Sequence, residues 1–215
     1  QRDVYRALTK QYFEKEGLAI PWVCTLTGKE MGGWIQYSMS QTTAAWLAHH
    51  FYLHWKYSAD DEFLEEKGYP FVKEVAQFLE LQTESNDEGK RVLAYSSSPE
   101  IFNNSLEAWF RTITNYDLAL ITFLFNAAAE MAEELDLDGE AEHWKSLSSE
   151  LPDFDLDENG ALTFANGAPY RESHRHFSHA MAFHPLGLIN WEDGEEARKV
   201  ISATLAAMEE YGWPI

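Results

Sequence analysis

One cysteine, Cys24, stands among 215 residues, which leaves no disulfide framework and no thiolate-rich metal cluster to build on. Cationic side chains are scarce as well. Sixteen Lys and Arg face 36 Asp and Glu, a net charge of −20. A phosphate-backbone ligand would find no basic stripe to neutralise it, which argues against nucleic acid as a partner. No apolar run approaches the roughly 20 residues that span a bilayer, so no membrane partner is expected. The opening QRDVYRALTK lacks the apolar core of a signal peptide. Both ends read as cuts through a longer sequence, and the compartment is not legible from them.

What the chain does have is aromatic mass. Eight Trp, ten Tyr and thirteen Phe, within a 45% hydrophobic composition, are enough for a sizeable core and argue against disorder. Some of these rings must be core. In an acidic protein, aromatic faces beside carboxylates also suit sugar rings, which stack through their C–H faces while polar groups bond the hydroxyls.

Apolar spacing is helical almost throughout. A helix is expected from about Thr42 to Tyr57, capped by Thr42 or Thr43. A second opens after SADD, breaks at GYP and resumes with Phe71, Val75, Phe78 and Leu79 on one face. The clearest pattern is Leu118, Ile121, Phe125, Ala128, Ala132 and Leu135, with Gly139 as the stop. EAEHWKSLSSEL reads as a shorter partner helix. The last helix aligns Ala197, Val200, Ile201, Leu205 and Met208. Alternation around Glu158, Asn159 and Gly160 signals one small β-hairpin. The glycine-rich stretch from Leu26 to Gln41 has no period and reads as a long structured loop. The fold class is therefore all-α: helix pairs joined by long structured loops, in a toroid or bundle with its site at one end.

The densest polar cluster is ESHRHFSHAMAFHP, Glu172 to Pro185. Three arrangements fit it. His176 and His179 could ligate a metal, although the spacing is loose and no acidic partner sits at a fixed helical offset. The histidines could form a buried hydrogen-bonded network at a helix start. Or the loop could cradle a small neutral ligand, with Arg175 and His176 donating to hydroxyls while Ser178 and His179 lock the loop. DLDENG, Asp155 to Gly160, imitates the opening of a calcium loop, but Asn166 stands where the closing Glu belongs, so it reads as a turn. Asp60 and Asp61 read as acids at a helix start.

Between two apolar segments lies SSSPE, ending in Glu100. On spacing alone a cap-adjacent glutamate is the plainer reading. The sharper one is a catalytic acid: the proline fixes the approach of the chain, the serines can bond backbone groups, and a carboxyl aimed into a cleft can protonate a leaving oxygen.

Taken together, AAWLAHHFYLHWKYSADDEFLEEKGYPFVKEVAQFL, SSSPE, NYDLALITFLFNAAAEMAEEL and HRHFSHAMAFHP resemble, in order and spacing, the catalytic domain of glycoside hydrolase family 95. The resemblance runs from about Gly32 to the end, and S-P-E and H-R-H-x-S-H are its most specific parts. It implies an (α/α)6 barrel with the active site in a pit at one end. Residues 1–215 would then be a portion of a single catalytic domain whose remainder is a partner of this segment. It implies hydrolysis of terminal α-L-fucosyl or α-L-galactosyl residues, with inversion, from an oligosaccharide or polysaccharide. By matching position, Glu100 would be the general acid, Arg175 and His176 would bind the innermost sugar, and Trp34 or Trp46 would form an aromatic wall. No metal or other cofactor is implied, so activity should be indifferent to EDTA. An extracellular or periplasmic location is favoured.

The sequence departs from the family pattern in two places. Ile101 follows S-P-E where the family has Asn, with Asn103 and Asn104 slightly later. The family's water-positioning aspartate should fall just past Ile215 and its Asn pair upstream; Asp117 reads as structural. Two alternatives share the helical frame: another (α/α)6 glycosidase of rhamnosidase or trehalase type, and a toroid that binds glycans without cleaving them.

Overall fold

The computed structural model describes residues 1–212, in two compact units: 1–92 with 120–151, and 93–119 with 152 onward. The expected all-α class holds. Helices dominate, and among the described residues the one sheet is a two-stranded pair. A helix-dominated chain of this kind is consistent with part of an α/α toroid.

The first unit begins with α1 (Arg2–Phe13), whose Arg6 pairs with Glu74 at 2.6 Å. The stretch from Leu26 to Gln41 is largely loop, as expected, and carries only the single-turn α2 (Ile35–Ser38). α3 (Thr43–Ser58) starts at Thr42, whose carbonyl accepts from Ala45 N at 2.9 Å. It packs on α5 (Tyr69–Gln82), with Phe51 and Phe71 stacked at 4.2 Å. The predicted α5 face of Phe71, Val75, Phe78 and Leu79 is wholly buried. The expected break at Gly68-Tyr69-Pro70 is not there. After the short α4 (Asp61–Phe63), residues Leu64–Gly68 widen into a π-type turn that runs straight into α5. A wider turn absorbs a proline, which has no N–H to give and would crowd the carbonyl four residues back. Asp60 caps the start, its Oδ1 accepting from Phe63 N at 2.9 Å.

α6 (Asn115–Glu134) contributes its opening residues to the second unit and Leu120 onward to the first. Leu118, Ile121, Phe125, Ala128 and Ala132 are buried as predicted, and Leu135 is half-buried beyond the helix end. Gly139 is not the stop: it lies inside α7 (Asp138–Ser149). Asp136 takes the left-handed position instead, at φ 56°, and Leu137 N bonds Ala132 O at 2.9 Å. That is a Schellman closure with an aspartate where glycine is usual.

The small sheet pairs β1 (Thr83–Ser85) with β2 (Arg91–Leu93), around a turn in which Asn86 N bonds Lys90 O at 2.8 Å. It was not foreseen. At the predicted hairpin, Asp157 N bonds Ala161 O at 2.8 Å, but the flanks make only an isolated bridge, Leu156 to Leu162. Asp157 Oδ1 accepts from Asn159 N and Ala161 N, so the calcium-like DLDENG is a self-bonded turn.

In the second unit α8 (Glu195–Tyr211) buries Ile201 and Thr204 and lays Ala207, Met208 and Tyr211 against a cluster of Ile101, Phe164 and Tyr170. The predicted stripe was turned by about one residue: Leu205 is 49% exposed.

Candidate active site

The segment carrying Glu100 is pinned before it turns. Ser96 pairs with Phe110 through backbone bonds of 2.9 and 2.8 Å in each direction. Its hydroxyl donates to Asp117 Oδ2 at 2.6 Å, and Thr114 N donates back to that hydroxyl at 2.9 Å. Asp117 is buried in this network, which supports its structural reading.

Ile101 N then bonds Ser98 O at 3.2 Å, closing a four-residue turn with Pro99 second and Glu100 third at φ 61°. A turn with proline second and positive φ third is of the type II kind, and its third position normally belongs to glycine. Glu100 is therefore the third residue of a turn, not the cap-adjacent glutamate of the plainer reading. It is a side chain held in a costly backbone conformation, a condition that clusters at functional sites. Ile101, the departure from the S-P-E pattern, drops into the core beside Phe164 and Tyr170.

Across from this turn lies the histidine loop. Arg175 forks onto the carboxylate, Nε to Glu100 Oε2 at 2.6 Å and a terminal nitrogen to Oε1. His176 Nε2 is 3.3 Å from the same Oε2. That contact is not aligned as a hydrogen bond, so a buried ring nitrogen is left unsatisfied beside the carboxylate. Burial holds the His176 ring below its ordinary pKa, with the nearby His174 and Arg175 adding to the effect and Glu100 opposing it. His176 is thus neutral near pH 7. His174 Nδ1 accepts from His176 N at 3.1 Å and fixes the loop. The Glu100 side chain is 17% exposed against 58% for Arg175: the carboxylate is largely withdrawn from water and its cation is not.

Ser178 and His179 do sit in the loop, and Ser178 Oγ meets Ser98 Oγ at 2.6 Å. His179 is fully buried, stacked on Tyr170 at 4.7 Å and edge-on to Phe164 at 5.0 Å. Neither of its ring nitrogens has a hydrogen bond, so it is no member of a bonded histidine network. Burial drives its pKa down to about 4. No group of three His, Cys, Asp or Glu among the described residues is placed to hold a metal ion. Trp34 and Trp46 belong to the first unit, Trp34 stacked on Tyr37 at 5.7 Å and Trp46 edge-on to Trp22 at 5.9 Å.

The S-P-E turn and the H-R-H loop thus meet in space. Residues 3–214 match the glycosyl hydrolase family 95 catalytic domain. The chain belongs to that family. It is similar to "Alpha-L-fucosidase 2" of Arabidopsis thaliana, 27% identical over 198 residues that cover 89% of this chain and 23% of that protein. A shorter likeness, 35% identical over 75 residues, is to "Probable alpha-fucosidase A" of Aspergillus niger, covering 34% of this chain and 9% of that one. The chain therefore spans less than a quarter of the length of either relative.

Proposed function

We propose that this family 95 chain supplies the acid side of a glycosidase site that removes terminal α-L-fucosyl, or α-L-galactosyl, residues from glycans with inversion. Glu100 is the general acid. The observation that carries this is the Glu100 carboxylate, largely withdrawn from water and faced by both Arg175 and His176. The similarity to two fucosidases supports the sugar class.

A guanidinium fork favours the ionised carboxylate, whereas an acid catalyst must carry a proton. Both requirements are met if an arriving sugar takes Arg175 onto its hydroxyls. As the guanidinium shifts onto the sugar, the poorly solvated Glu100 carboxylate takes up a proton from water and holds it until the glycosidic oxygen takes it. His176, neutral and short of one bond, supplies a second hydroxyl contact. The family resemblance proposes Trp34 or Trp46 as an aromatic wall. Inversion needs a second carboxylate roughly 6.5–9.5 Å from the acid to activate water. Asp117 is committed to Ser96 and Ser97 and is not assigned that role.

The test is hydrolysis of aryl α-L-fucoside and aryl α-L-galactoside by the full-length protein and its Glu100→Gln variant. Loss on the order of 10²–10⁴-fold is expected. A variant with near wild-type turnover removes Glu100 from the mechanism. A wild-type protein that binds fucosyl glycans but releases no sugar replaces hydrolysis with glycan binding.

A further inference from the structure

Glu100 and Arg175 are 75 residues apart in sequence, and something must hold their segments in register while substrate comes and goes. The fork is poorly suited to do so, because its arginine is 58% exposed and is the group the sugar would compete for. Apolar packing is also insufficient. Ile101 from one segment and His179 from the other both rest on Phe164 and Tyr170, but such contacts are non-directional and tolerate sliding.

A second directional link joins them. Ser98 lies two residues before Glu100, and Ser178 three after Arg175. Their hydroxyls meet at 2.6 Å with both residues almost fully buried, at 1% and 5% exposure. Backbone bonds fix both ends: Ser98 O accepts Ile101 N at 3.2 Å, and Ser178 O accepts Met181 N at 3.2 Å. The two segments are thus closed into a small ring, by the fork at the wet end and by the hydroxyl pair at the dry end. A buried hydroxyl pair excludes water as a competitor, so its geometry persists when the fork opens.

We propose that the Ser98–Ser178 hydroxyl bridge is a positioning device that keeps Glu100 in register with Arg175 and His176 during the reaction. It rests on Glu100 being the proton donor.

The experiment uses the full-length enzyme with Ser98→Ala, Ser178→Ala, the double Ala variant and Ser178→Thr, assayed on aryl α-L-fucoside beside Glu100→Gln. Each single Ala change is expected to lower kcat about tenfold to hundredfold with KM little changed, as small misplacements of catalytic groups do. The double variant should be no worse than the singles, because either removes the same bond. Ser178→Thr, which keeps a hydroxyl, should recover most of the loss. The basic limb of the kcat/KM profile should move to higher pH in the Ala variants, since a loosened guanidinium holds the carboxylate ionised less well. A purely structural role would lower the folded fraction and leave that limb in place. Wild-type kcat in both Ala variants, or losses that multiply in the double variant, overturns the bridge while an inactive Glu100→Gln leaves the acid standing. A fully active Glu100→Gln removes the acid, and the bridge's role with it.

Discussion

Arg175 addresses both oxygens of Glu100, one of them through Nε at 2.6 Å. Only a planar guanidinium can make this fork; a lysine carries the charge to one point. Arg175→Lys should therefore lose more than its conservative look suggests. Because Arg175 is largely exposed, the expected cost is modest, about tenfold in kcat/KM, and concentrated in KM if the guanidinium binds ground-state hydroxyls. Steady-state rates on aryl α-L-fucoside decide it. Unchanged KM and kcat would take Arg175 out of sugar recognition.

S-P-E and H-R-H stand out in the sequence as motifs, and both residues of the fork, Glu100 and Arg175, lie within them. Their meeting is a tertiary fact that no periodicity encodes. The Ser98–Ser178 contact left still less trace, since two serines 80 apart carry no pattern. Helical faces were legible where one side alone is buried, as for Phe71, Val75, Phe78 and Leu79 in α5. In α8 the apolar pattern points to Leu205, but Thr204 is buried in its place, its hydroxyl accepting from Leu162 N at 2.9 Å. A hydrophobic pattern cannot see a threonine buried for a hydrogen bond. Endings failed in a similar way, with Asp136 closing α6 where glycine was expected.

His179 links the site to pH. Its folded pKa of about 4 lies below the ordinary 6.5, so the neutral ring is the native form. Above pH 6.5 folded and unfolded chains both hold it neutral, and nothing is lost. As pH falls from 6.5 toward 4 the unfolded chain binds a proton that the native one refuses. Stability drains away over that window, by up to about 3 kcal/mol at 1.36 kcal/mol per pKa unit. His179→Phe removes the titration and two unbonded ring nitrogens while keeping a flat ring between Phe164 and Tyr170. Its thermal midpoint should match or exceed wild type at pH 5 and fall less between pH 7 and pH 4.5. Parallel pH curves for the two proteins would show that His179 does not titrate this way.

The positive φ of Glu100 makes a separate, counter-intuitive expectation. Glycine is ordinarily less favourable than alanine because it gives up more chain entropy on folding. At φ 61° an alanine carries the left-handed penalty of roughly 1–2 kcal/mol that glycine escapes. Glu100→Gly should therefore be more stable than Glu100→Ala, by roughly 0.5–1 kcal/mol once the entropy is subtracted. Both should be equally inactive, as each lacks the carboxyl. Urea unfolding of the two variants separates backbone strain from catalysis. An alanine variant as stable as the glycine one would mean that the turn relaxes when its side chain is cut back.

The boundary between α6 and α7 allows stability to be changed without touching the S-P-E turn or the histidine loop. Asp136 holds the left-handed closing position at φ 56°, and Gly139 lies in the first turn of α7 without a positive φ. The two residue types are each in the other's preferred place. Asp136→Gly relieves the left-handed strain, and a Cβ added at Gly139 meets no atom within 4 Å. Each of Asp136→Gly and Gly139→Ala is expected to add about 0.5 kcal/mol, the first by relaxing the native turn and the second by restricting the unfolded chain. Hydrolysis rates on aryl α-L-fucoside should not change in either. Denaturant midpoints check the gain. A loss of stability in Asp136→Gly would mean that the Asp136 side chain contributes more to the closure than its backbone strain costs.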